Sequence, residues 1–259
     1  MSAPADGAWP YPFWIAHRGA GKLAPENTMV AFERGRVLGY RMFECDVKLS
    51  ADEQAFLLHD KDLRRTTNHA LAFAPGSDAM AASHDWASLS RLDAGSWLSP
   101  SFAGEPLPLL QTVARWCRQH ALMLNIEIKP TPGMGTRTGQ VVAEQAAELW
   151  RGAAMAPLLT SFDVQALEAA RQAQPELPRG LLLDRLHAGW LDTAQALACV
   201  AVVMDHPLWT ADVMAAARSA GMRCLAYTVN RPQDVDRLCV LGIDGIITDR
   251  VDLFKPESA

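Results

Sequence analysis

The sequence predicts an α/β fold, a (β/α)8 TIM barrel with a small insertion after the second strand. Eight short apolar runs of strand length alternate with longer segments whose apolar residues recur at helical spacing. Strands that alternate with helices favour a parallel sheet, and 259 residues is a usual length for a sheet that closes into one barrel. An open, doubly wound sheet is the competing fold.

The predicted strands and helices follow one another in a regular order. The strands cover residues 13–17, 42–47, 122–129, 157–161, 180–183, 200–204, 223–229 and 245–248. The helices cover about residues 28–39, 109–120, 137–151, 163–173, 189–197, 210–220 and 232–240. Asp163 and Thr210 stand where an N-cap is needed, and Gly221 and Gly242 stand where a helix should end.

One stretch interrupts this order after the second strand. Polar residues around Asp52 separate that strand from another apolar run at 55–60, which predicts a hairpin. Residues 61–108 then carry Gly, Pro, Ser and Asp with weak periodicity, and loops of this length in compact domains are usually functional. We therefore expect one domain over residues 1–259, with an insertion at about 61–108 that lies over the top of the barrel.

The composition excludes several classes of protein. With 24 Lys and Arg against 29 Asp and Glu, the net charge of -5 argues against a nucleic-acid partner and against a polybasic membrane anchor. Residues 1–12 hold no Lys or Arg and are interrupted by prolines, unlike a signal peptide, and no apolar run is long enough to span a bilayer. The 5 cysteines are widely spaced, which predicts reduced thiols. We expect a cytoplasmic protein without stable membrane association.

Three carboxylates lie near the ends of two neighbouring predicted strands. Glu44 and Asp46 point the same way because side chains alternate along a strand, whereas Cys45 faces the surrounding helices. Glu127 lies on the next barrel strand, with Asn125 on the same face. Inward-facing charges are costly, and barrel active sites are built at the carboxyl ends of the strands. Carboxylates with no thiolate nearby suit one hard divalent cation, Mg2+ or Ca2+.

Ion pairing with Lys48 and Lys129 is the alternative explanation for these carboxylates, and two histidines argue for the metal site instead. His17 closes the first strand. His59 ends the hairpin return and falls opposite Glu44–Cys45 if the turn lies where it is predicted. We expect the two imidazoles to flank the metal as an acid–base pair, because histidine carries protons near neutral pH.

Arg18 and Lys129 complete a site suited to phosphate. The cation and Arg18 would hold the non-bridging oxygens, and Lys129 would help as charge develops in the transition state. One histidine would activate the nucleophile, and the other would protonate the leaving alkoxide. Because the leaving group needs a proton, we expect the substrate to be a small phosphodiester of an alcohol rather than an anhydride.

Short runs in a fixed order along the chain carry a resemblance to a known family. They are His17-Arg18-Gly19, Pro25-Glu26-Asn27-Thr28, Glu44-Cys45-Asp46-Val47, His59-Asp60, Arg65-Thr66-Thr67, Ala94-Gly95-Ser96-Trp97, Gly104-Glu105-Pro106-Leu107-Pro108, Glu127-Ile128-Lys129, Ser161-Phe162, Tyr227-Thr228-Val229-Asn230 and Gly245-Ile246-Ile247-Thr248-Asp249. The ordered set spans residues 13 to about 250 and resembles the bacterial cytoplasmic glycerophosphodiester phosphodiesterases.

The resemblance implies a (β/α)8 barrel with an insertion, and cleavage of glycerophosphodiesters to sn-glycerol 3-phosphate and an alcohol. It also implies that a hydroxyl beside the phosphoester attacks phosphorus to form a cyclic phosphate, or that a metal-held water attacks directly. The implied metal ligands are Glu44, Asp46 and Glu127, the implied acid–base pair is His17 and His59, and the implied phosphate contacts are Arg18 and Lys129.

Two residues depart from the pattern of the family. Where relatives often carry Gly after the hairpin Asp, this chain has Glu53, which we expect to change only the turn. Where relatives often carry Trp before Thr-Val-Asn, this chain has Tyr227. Tyr227 keeps an aromatic wall in the substrate pocket and adds a hydroxyl, which bears on the shape of the second alcohol.

An oxidoreductase is one competing function. Gly19 and Gly21 follow a strand in a loose dinucleotide-binding pattern, and Glu44 lies about where a ribose-binding acid would fall. However, Pro25 comes directly afterwards and the helix starts near Thr28, so the glycines do not open a helix. This pattern disfavours dinucleotide binding.

Two further alternatives share the predicted barrel. A phospholipase acting on lysolipids would need an exposed apolar rim, for which the insertion offers candidates, whereas we expect these residues to pack the insertion and wall the pocket. A binding protein would not need a proton-transfer pair, so His17 and His59 argue against it. The candidates for the apolar rim of a phospholipase are Trp86, Trp97, Leu98 and Phe102.

We expect a monomer or a homodimer.

Overall fold

A computed structural model of the chain describes residues 9–256. The strands are β1 (Trp14–Ala16), β2 (Met42–Leu49), β3 (Ala55–Leu57), β4 (Met123–Ile128), β5 (Leu158–Ser161), β6 (Arg179–Leu183), β7 (Ala201–Asp205), β8 (Arg223–Tyr227) and β9 (Gly245–Thr248). The helices are α1 (Met29–Val37), α2 (His69–Ala72), α3 (Trp86–Leu89), α4 (Leu110–Gln119), α5 (Gly135–Leu149), α6 (Val164–Ala173), α7 (Trp190–Ala196), α8 (Ala211–Ser219) and α9 (Pro232–Leu241).

The parallel strands form a closed barrel. Strand β1 pairs in parallel with β2 through Ile15 and Met42, and with β9 through Ile15 and Ile247, so the sheet has no open parallel edge. The remaining parallel strands follow in the order β9, β8, β7, β6, β5, β4 and β2. Strand β3 pairs antiparallel with β2 outside the ring, as the return of a hairpin. The (β/α)8 prediction is therefore confirmed, and the open sheet is wrong.

The local signals for helices and strands gave boundaries close to those observed. The Asp163 carboxylate caps α6 by accepting from the backbone N–H of Gln165 and Ala166, and Thr210 caps α8. Gly242 ends α9 in the left-handed conformation, at φ 85°. Capping and apolar spacing are properties of neighbouring residues, which is why they can be recognised without the tertiary fold.

The barrel interior holds a cluster of apolar side chains. Inward-facing residues from successive strands, among them Ile15, Met42 and Leu182, form a buried cluster that is separate from the cores between strands and helices. Leu182 and Ile247 also form the floor of a cavity at the carboxyl ends of the strands. The core of the fold thus ends where the candidate site begins, as expected for a barrel of this type.

The insertion lies between β3 and α4 and has a small core of its own. Phe56 and Leu58 from the hairpin pack with Leu63, Leu89 and other apolar residues of the insertion. Its only α-helices among the described residues are α2 and α3, of 4 residues each. The Asp93 carboxylate orders its loops by accepting from several backbone N–H groups.

The hairpin turn places Glu53 in the left-handed conformation, at φ 61°. This conformation favours glycine, and Glu53 is held there by an ion pair with Arg137, whose Nε donates to Oε1 at 2.7 Å. Glu53 thus links the hairpin turn to α5, beyond the turn to which its effect was expected to be confined. Across the described part of the chain, no helix has the length and apolar character required to cross a membrane. Residues 1–8 of the N-terminal segment considered above lie outside the described residues.

Candidate active site

A cavity of about 330 Å³ opens at the carboxyl ends of the barrel strands. Its size is in the range of small-molecule sites. Asp46 lies just beside it and is only 1% exposed. The site residues predicted from the sequence that line the cavity are His17, Arg18, Glu44, His59, Glu127, Lys129 and Tyr227.

Three carboxylates converge at one side of this cavity. Glu44 and Asp46 alternate along β2, and the parallel register sets Asp46 beside Glu127 on β4. Each of the three offers a ligand oxygen, and these oxygens lie within 4.8 Å of one another. Cys45, between the first two, is buried among apolar residues on the helix side of the sheet. The alternation expected from the sequence is thus present.

Asp46 is the most strongly held of the three carboxylates. Its Oδ1 accepts from Lys129 Nζ at 3.0 Å, and its Oδ2 accepts from Asn27 Nδ2 at 2.9 Å. Arg18 Nε lies 3.2 Å from Oδ2. Burial opposes ionisation, but the charges of Lys129 and Arg18 outweigh it and hold the pKa of Asp46 well below its usual range. Asp46 is therefore a carboxylate at neutral pH.

Glu44 and Glu127 are in the opposite electrostatic position. Burial, followed by the charge of Asp46, raises the pKa of Glu127 to about 7. Burial and the two neighbouring carboxylates also raise the pKa of Glu44 well above its usual range. Three carboxylates this close cannot all stay ionised at low cost unless more positive charge is supplied.

The residues fit a bound divalent cation. Glu44 Oε2 accepts from the backbone N–H of Arg18 at 3.1 Å, but its Oε1 is buried and has no hydrogen-bond partner among the described residues. A buried oxygen without a donor is costly and rare in folded proteins. An all-oxygen donor set with this surplus of negative charge suits Mg2+ or Ca2+.

His17 stands beside the carboxylate cluster and is oriented from behind. Its Nε2 lies 3.8 Å from Glu44 Oε2, and its Nδ1 lies 2.6 Å from Asp249 Oδ1. Asn230 Nδ2 donates to the other oxygen of Asp249 at 2.9 Å. Since Asp249 accepts at Nδ1, the proton there is fixed and Nε2 is the nitrogen left for chemistry.

His59 is oriented in the same manner from the other side. Leu58 N–H donates to the carbonyl of Asp46 at 3.0 Å, which continues the hairpin and brings His59 to the cavity. Its Nδ1 lies 2.7 Å from Asp60 Oδ1. Burial lowers the pKa of His59, against the opposing charge of Asp46. The neutral imidazole is therefore favoured at neutral pH, a state that can accept a proton.

The loop after β1 places Arg18 under backbone strain. Arg18 has φ 50°, and Gly19 follows at φ 100° with its α-carbon packed against Ala31 and Phe32. A β-carbon at Gly19 would approach the β-carbon of Ala31 to 2.8 Å, so only glycine fits. This turn aims the Arg18 side chain at Asp46 and Glu26.

The two lysines near the site have different roles. Lys129 Nζ contacts Glu127 at 2.9 Å as well as Asp46, so it partly neutralises the cluster. Lys48 is buried, and its Nζ donates to the backbone carbonyl of Lys129 at 2.9 Å. Lys129 and Arg18 thus form ion pairs with the carboxylate cluster, whereas Lys48 stabilises the backbone at the end of β4.

Tyr227 forms part of the wall opposite the carboxylates. Its ring meets Phe162 edge-on, with 5.8 Å between centroids. Its hydroxyl donates to the carbonyl of Leu183 at 3.0 Å. The aromatic wall expected from the sequence is present, and the added hydroxyl is used within the protein. The insertion residues expected to wall the pocket, such as Trp97 and Phe102, do not line this cavity.

Several residues that support the site had no role predicted from the sequence. Asp60 and Asp249 hold the histidines, and Asn27 and Glu26 hold Asp46 and Arg18. All four lie within the runs that carry the family resemblance. Asp60 follows His59 directly and Asp249 follows the end of β9, which could have marked these two residues, whereas Glu26 and Asn27 carry no such signal in the sequence.

The chain matches known proteins along most of its length. The model of the glycerophosphoryl diester phosphodiesterase family matches residues 17–253. The glycerophosphodiester phosphodiesterase of Caldanaerobacter subterraneus is 29% identical over 242 residues, which cover 91% of this chain and 93% of that protein. The enzyme of the same name from Bacillus subtilis is 29% identical over 258 residues, covering 93% and 84% respectively.

The fold is also similar to solved structures. A phosphodiesterase of Oleispira antarctica, solved in complex with the product sn-glycerol-3-phosphate, superposes with a TM-score of 0.82 at 28% sequence identity. The similarity covers 92% of this chain and 93% of that one.

Proposed function

The chain belongs to the glycerophosphoryl diester phosphodiesterase family and is an enzyme of that class, and we propose that one divalent cation and two histidines carry out its reaction. The products would be sn-glycerol 3-phosphate and an alcohol. The observation that supports this proposal most strongly is the convergence of three ligand oxygens beside two histidines that are each held at Nδ1 by a carboxylate. Residues 1–259 would form a single catalytic domain with the insertion at about 61–108.

Glu44, Asp46 and Glu127 would hold the cation. Bound there, Mg2+ or Ca2+ would supply Lewis-acid stabilisation of the phosphate charge. Arg18 and Lys129 line the same side of the cavity and would bind the non-bridging oxygens of the phosphate. Carboxylates already fix the side chains of Arg18 and Lys129. These two charged groups would therefore stabilise the transition state without a large reorganisation.

His17 and His59 would divide the proton transfers. One Nε2 would take the proton from the attacking hydroxyl, and the other would give a proton to the leaving alkoxide. With Nδ1 of each ring directed at a carboxylate, the imidazolium form of either is stabilised when it appears. Two groups could attack phosphorus. The neighbouring hydroxyl of the substrate would form a cyclic phosphate that water then opens, whereas a water molecule would cleave the diester directly.

The cavity wall at Tyr227 and Phe162 would contact the substrate carbon chain. The two rings pack edge to face, and Tyr227 is further fixed by its hydrogen bond to Leu183. This wall would select substrates by their shape, because the Tyr227 hydroxyl already donates its hydrogen bond to Leu183. A cytoplasmic location and a monomeric or homodimeric state stay predictions.

The test is a product assay on chelator-treated protein. Incubation with sn-glycero-3-phosphocholine, with and without Mg2+ or Ca2+, should release sn-glycerol 3-phosphate only when cation is present. Release that is equal without cation would contradict the metal site. No release, with cyclic products formed from lysolipid instead, would favour the phospholipase, for which Trp97 and Leu98 offer exposed apolar surface.

A further inference from the structure

Arg65 lies outside the cavity, in the insertion, and bonds to a carboxylate beside each of the two active-site residues Arg18 and His59. Its Nη1 and Nη2 donate to the Glu26 carboxylate at 2.8 and 2.7 Å. Its Nε and Nη2 donate to the Asp60 carboxylate at 2.6 and 2.9 Å. One guanidinium thus makes two paired contacts, a geometry that lysine cannot reproduce.

Each of these two carboxylates also holds a proposed active-site residue. Glu26 Oε1, which accepts from Arg65, also accepts from Arg18 Nη1 at 3.0 Å. Asp60 Oδ1, which accepts from Arg65, is the atom that lies 2.7 Å from His59 Nδ1. The contacts form a continuous chain from His59 through Arg65 to Arg18.

We propose that Arg65 is a positioning residue that orients His59 and Arg18 together. This inference rests on the proposed function, which gives His59 and Arg18 their roles. Asp60 follows His59 directly in sequence, so its carboxylate needs a further contact of its own to fix the imidazole. Arg65 provides the anchor by occupying both carboxylate oxygens.

The charges explain why the contact cannot simply relax when Arg65 is removed. Glu26 and Asp60 both bond to Nη2 of Arg65, so the two carboxylates face each other across that group. Without the guanidinium the two carboxylates would repel each other and move apart. Glu26 would then displace Arg18, and Asp60 would displace the ring of His59. The bond to Arg65 also lowers the pKa of Asp60 to about 2, which keeps Asp60 ionised.

The insertion holds Arg65 in place. Its guanidinium lies over the ring of Trp97, 5.9 Å from the centroid, and the adjacent Arg64 pairs with Asp62 instead. Arg64 is therefore a matched control, since it has the same side chain, lies next to Arg65 and touches neither Glu26 nor Asp60. The insertion thus acts on the site through Arg65 rather than by lining the cavity.

The first test compares turnover in Arg65→Ala and Arg64→Ala with cation and substrate saturating. We expect Arg65→Ala to lower kcat by about 10–100-fold and Arg64→Ala to change it less than about twofold. In a His59→Ala background the further loss caused by Arg65→Ala should shrink to about threefold, because Arg18 is then the one active-site residue left for Arg65 to position. An undiminished loss in that background, or equal kcat in the two arginine variants, would overturn the proposal.

The second test does not depend on activity. The Nδ1 proton of His59, shared with Asp60, should give a downfield proton resonance in water, assigned by its disappearance in His59→Ala. We expect this resonance to be lost or to exchange rapidly in Arg65→Ala and to persist in Arg64→Ala. Persistence of the resonance in Arg65→Ala would overturn the proposal that Arg65 positions His59, whether or not the wild-type protein is active. Failure of the wild-type protein to release sn-glycerol 3-phosphate would count against the proposed function alone.

Discussion

The imidazole of His17 is fixed by Asp249, whose Oδ1 lies 2.6 Å from Nδ1 although the two residues are 232 positions apart in sequence. Asn230 fixes Asp249 in turn, since its Oδ1 accepts from the backbone N–H of Asp249 and its Nδ2 donates to Oδ2. His59 and Asp60 repeat the arrangement across the cavity. The site therefore presents two histidines with the same free nitrogen and with partners from different loops.

The proposed acid–base pair can be tested by removing each imidazole. We expect His17→Ala and His59→Ala to lower kcat by at least about 100-fold, because each would take away one proton transfer. Cation affinity and the thermal unfolding midpoint should change little, since neither histidine belongs to the carboxylate cluster. The exposed His187, whose Nδ1 contacts the carbonyl oxygen of the adjacent Ala188, provides the control variant His187→Ala. Turnover like the wild type in either site variant would remove the pair from the mechanism.

The variant Asp249→Asn tests the orientation of His17. Asn230 donates to one side-chain oxygen at position 249, so the remaining oxygen should stay on that side and the new amide should face His17 Nδ1. An amide donates there instead of accepting, which moves the ring proton to Nε2. We expect kcat to fall by about 10²–10⁴-fold with little change in KM. Unchanged kcat would show that the orientation of His17 does not matter.

The same variant should change how stability depends on pH. Burial opposes ionisation of Asp249, but the bond to His17 outweighs it and lowers the pKa to about 2. A depressed carboxyl pKa stabilises the folded state above the unfolded value near 4, and this contribution is lost as pH falls through about 2. The free energy of unfolding of the wild type should exceed that of Asp249→Asn by about 2 kcal/mol above pH 5, and the difference should vanish near pH 2. Denaturant unfolding at several pH values measures it, and a difference that stays constant with pH would contradict this assignment.

The metal site can be tested at Glu44, one of whose buried oxygens has no donor among residues 9–256. Glu44→Gln should weaken binding of Mg2+ or Ca2+ by at least about tenfold, because a neutral amide replaces a charged ligand. Added cation should restore part of the activity. Glu168→Gln, a change at a surface glutamate paired with Arg171, serves as the control. Unchanged cation dependence in Glu44→Gln would exclude Glu44 as a ligand.

The wall residue Tyr227 separates the role of its ring from that of its hydroxyl. The hydroxyl donates to Leu183, so Tyr227→Phe should cost about 1 kcal/mol of stability and leave the relative kcat/KM for different head groups unchanged. Tyr227→Ala should change that preference, because it removes the ring that packs against Phe162. A changed preference in Tyr227→Phe would mean that the hydroxyl contacts the substrate.

The predicted elements agreed with the structure because their signals are local. Asp163 and Thr210 cap helices through bonds to residues two or three positions away, and Gly242 ends a helix through its own backbone conformation. The alternation of Glu44, Cys45 and Asp46 along β2 likewise follows from strand geometry. The insertion was located by its lack of periodicity, but its contacts could not be predicted, and the residues expected to wall the pocket do not line it.

Strand alternation and chain order were enough to predict the barrel and to bring the three carboxylates and the two histidines to one end of it. The groups that hold these side chains became evident from the folded chain. Asp249 reaches His17 because β9 closes the barrel beside β1, and Arg65 reaches Glu26 across 39 positions because the insertion folds back. Such contacts depend on where loops pack, and a loop has no repeating geometry from which its side-chain partners can be read.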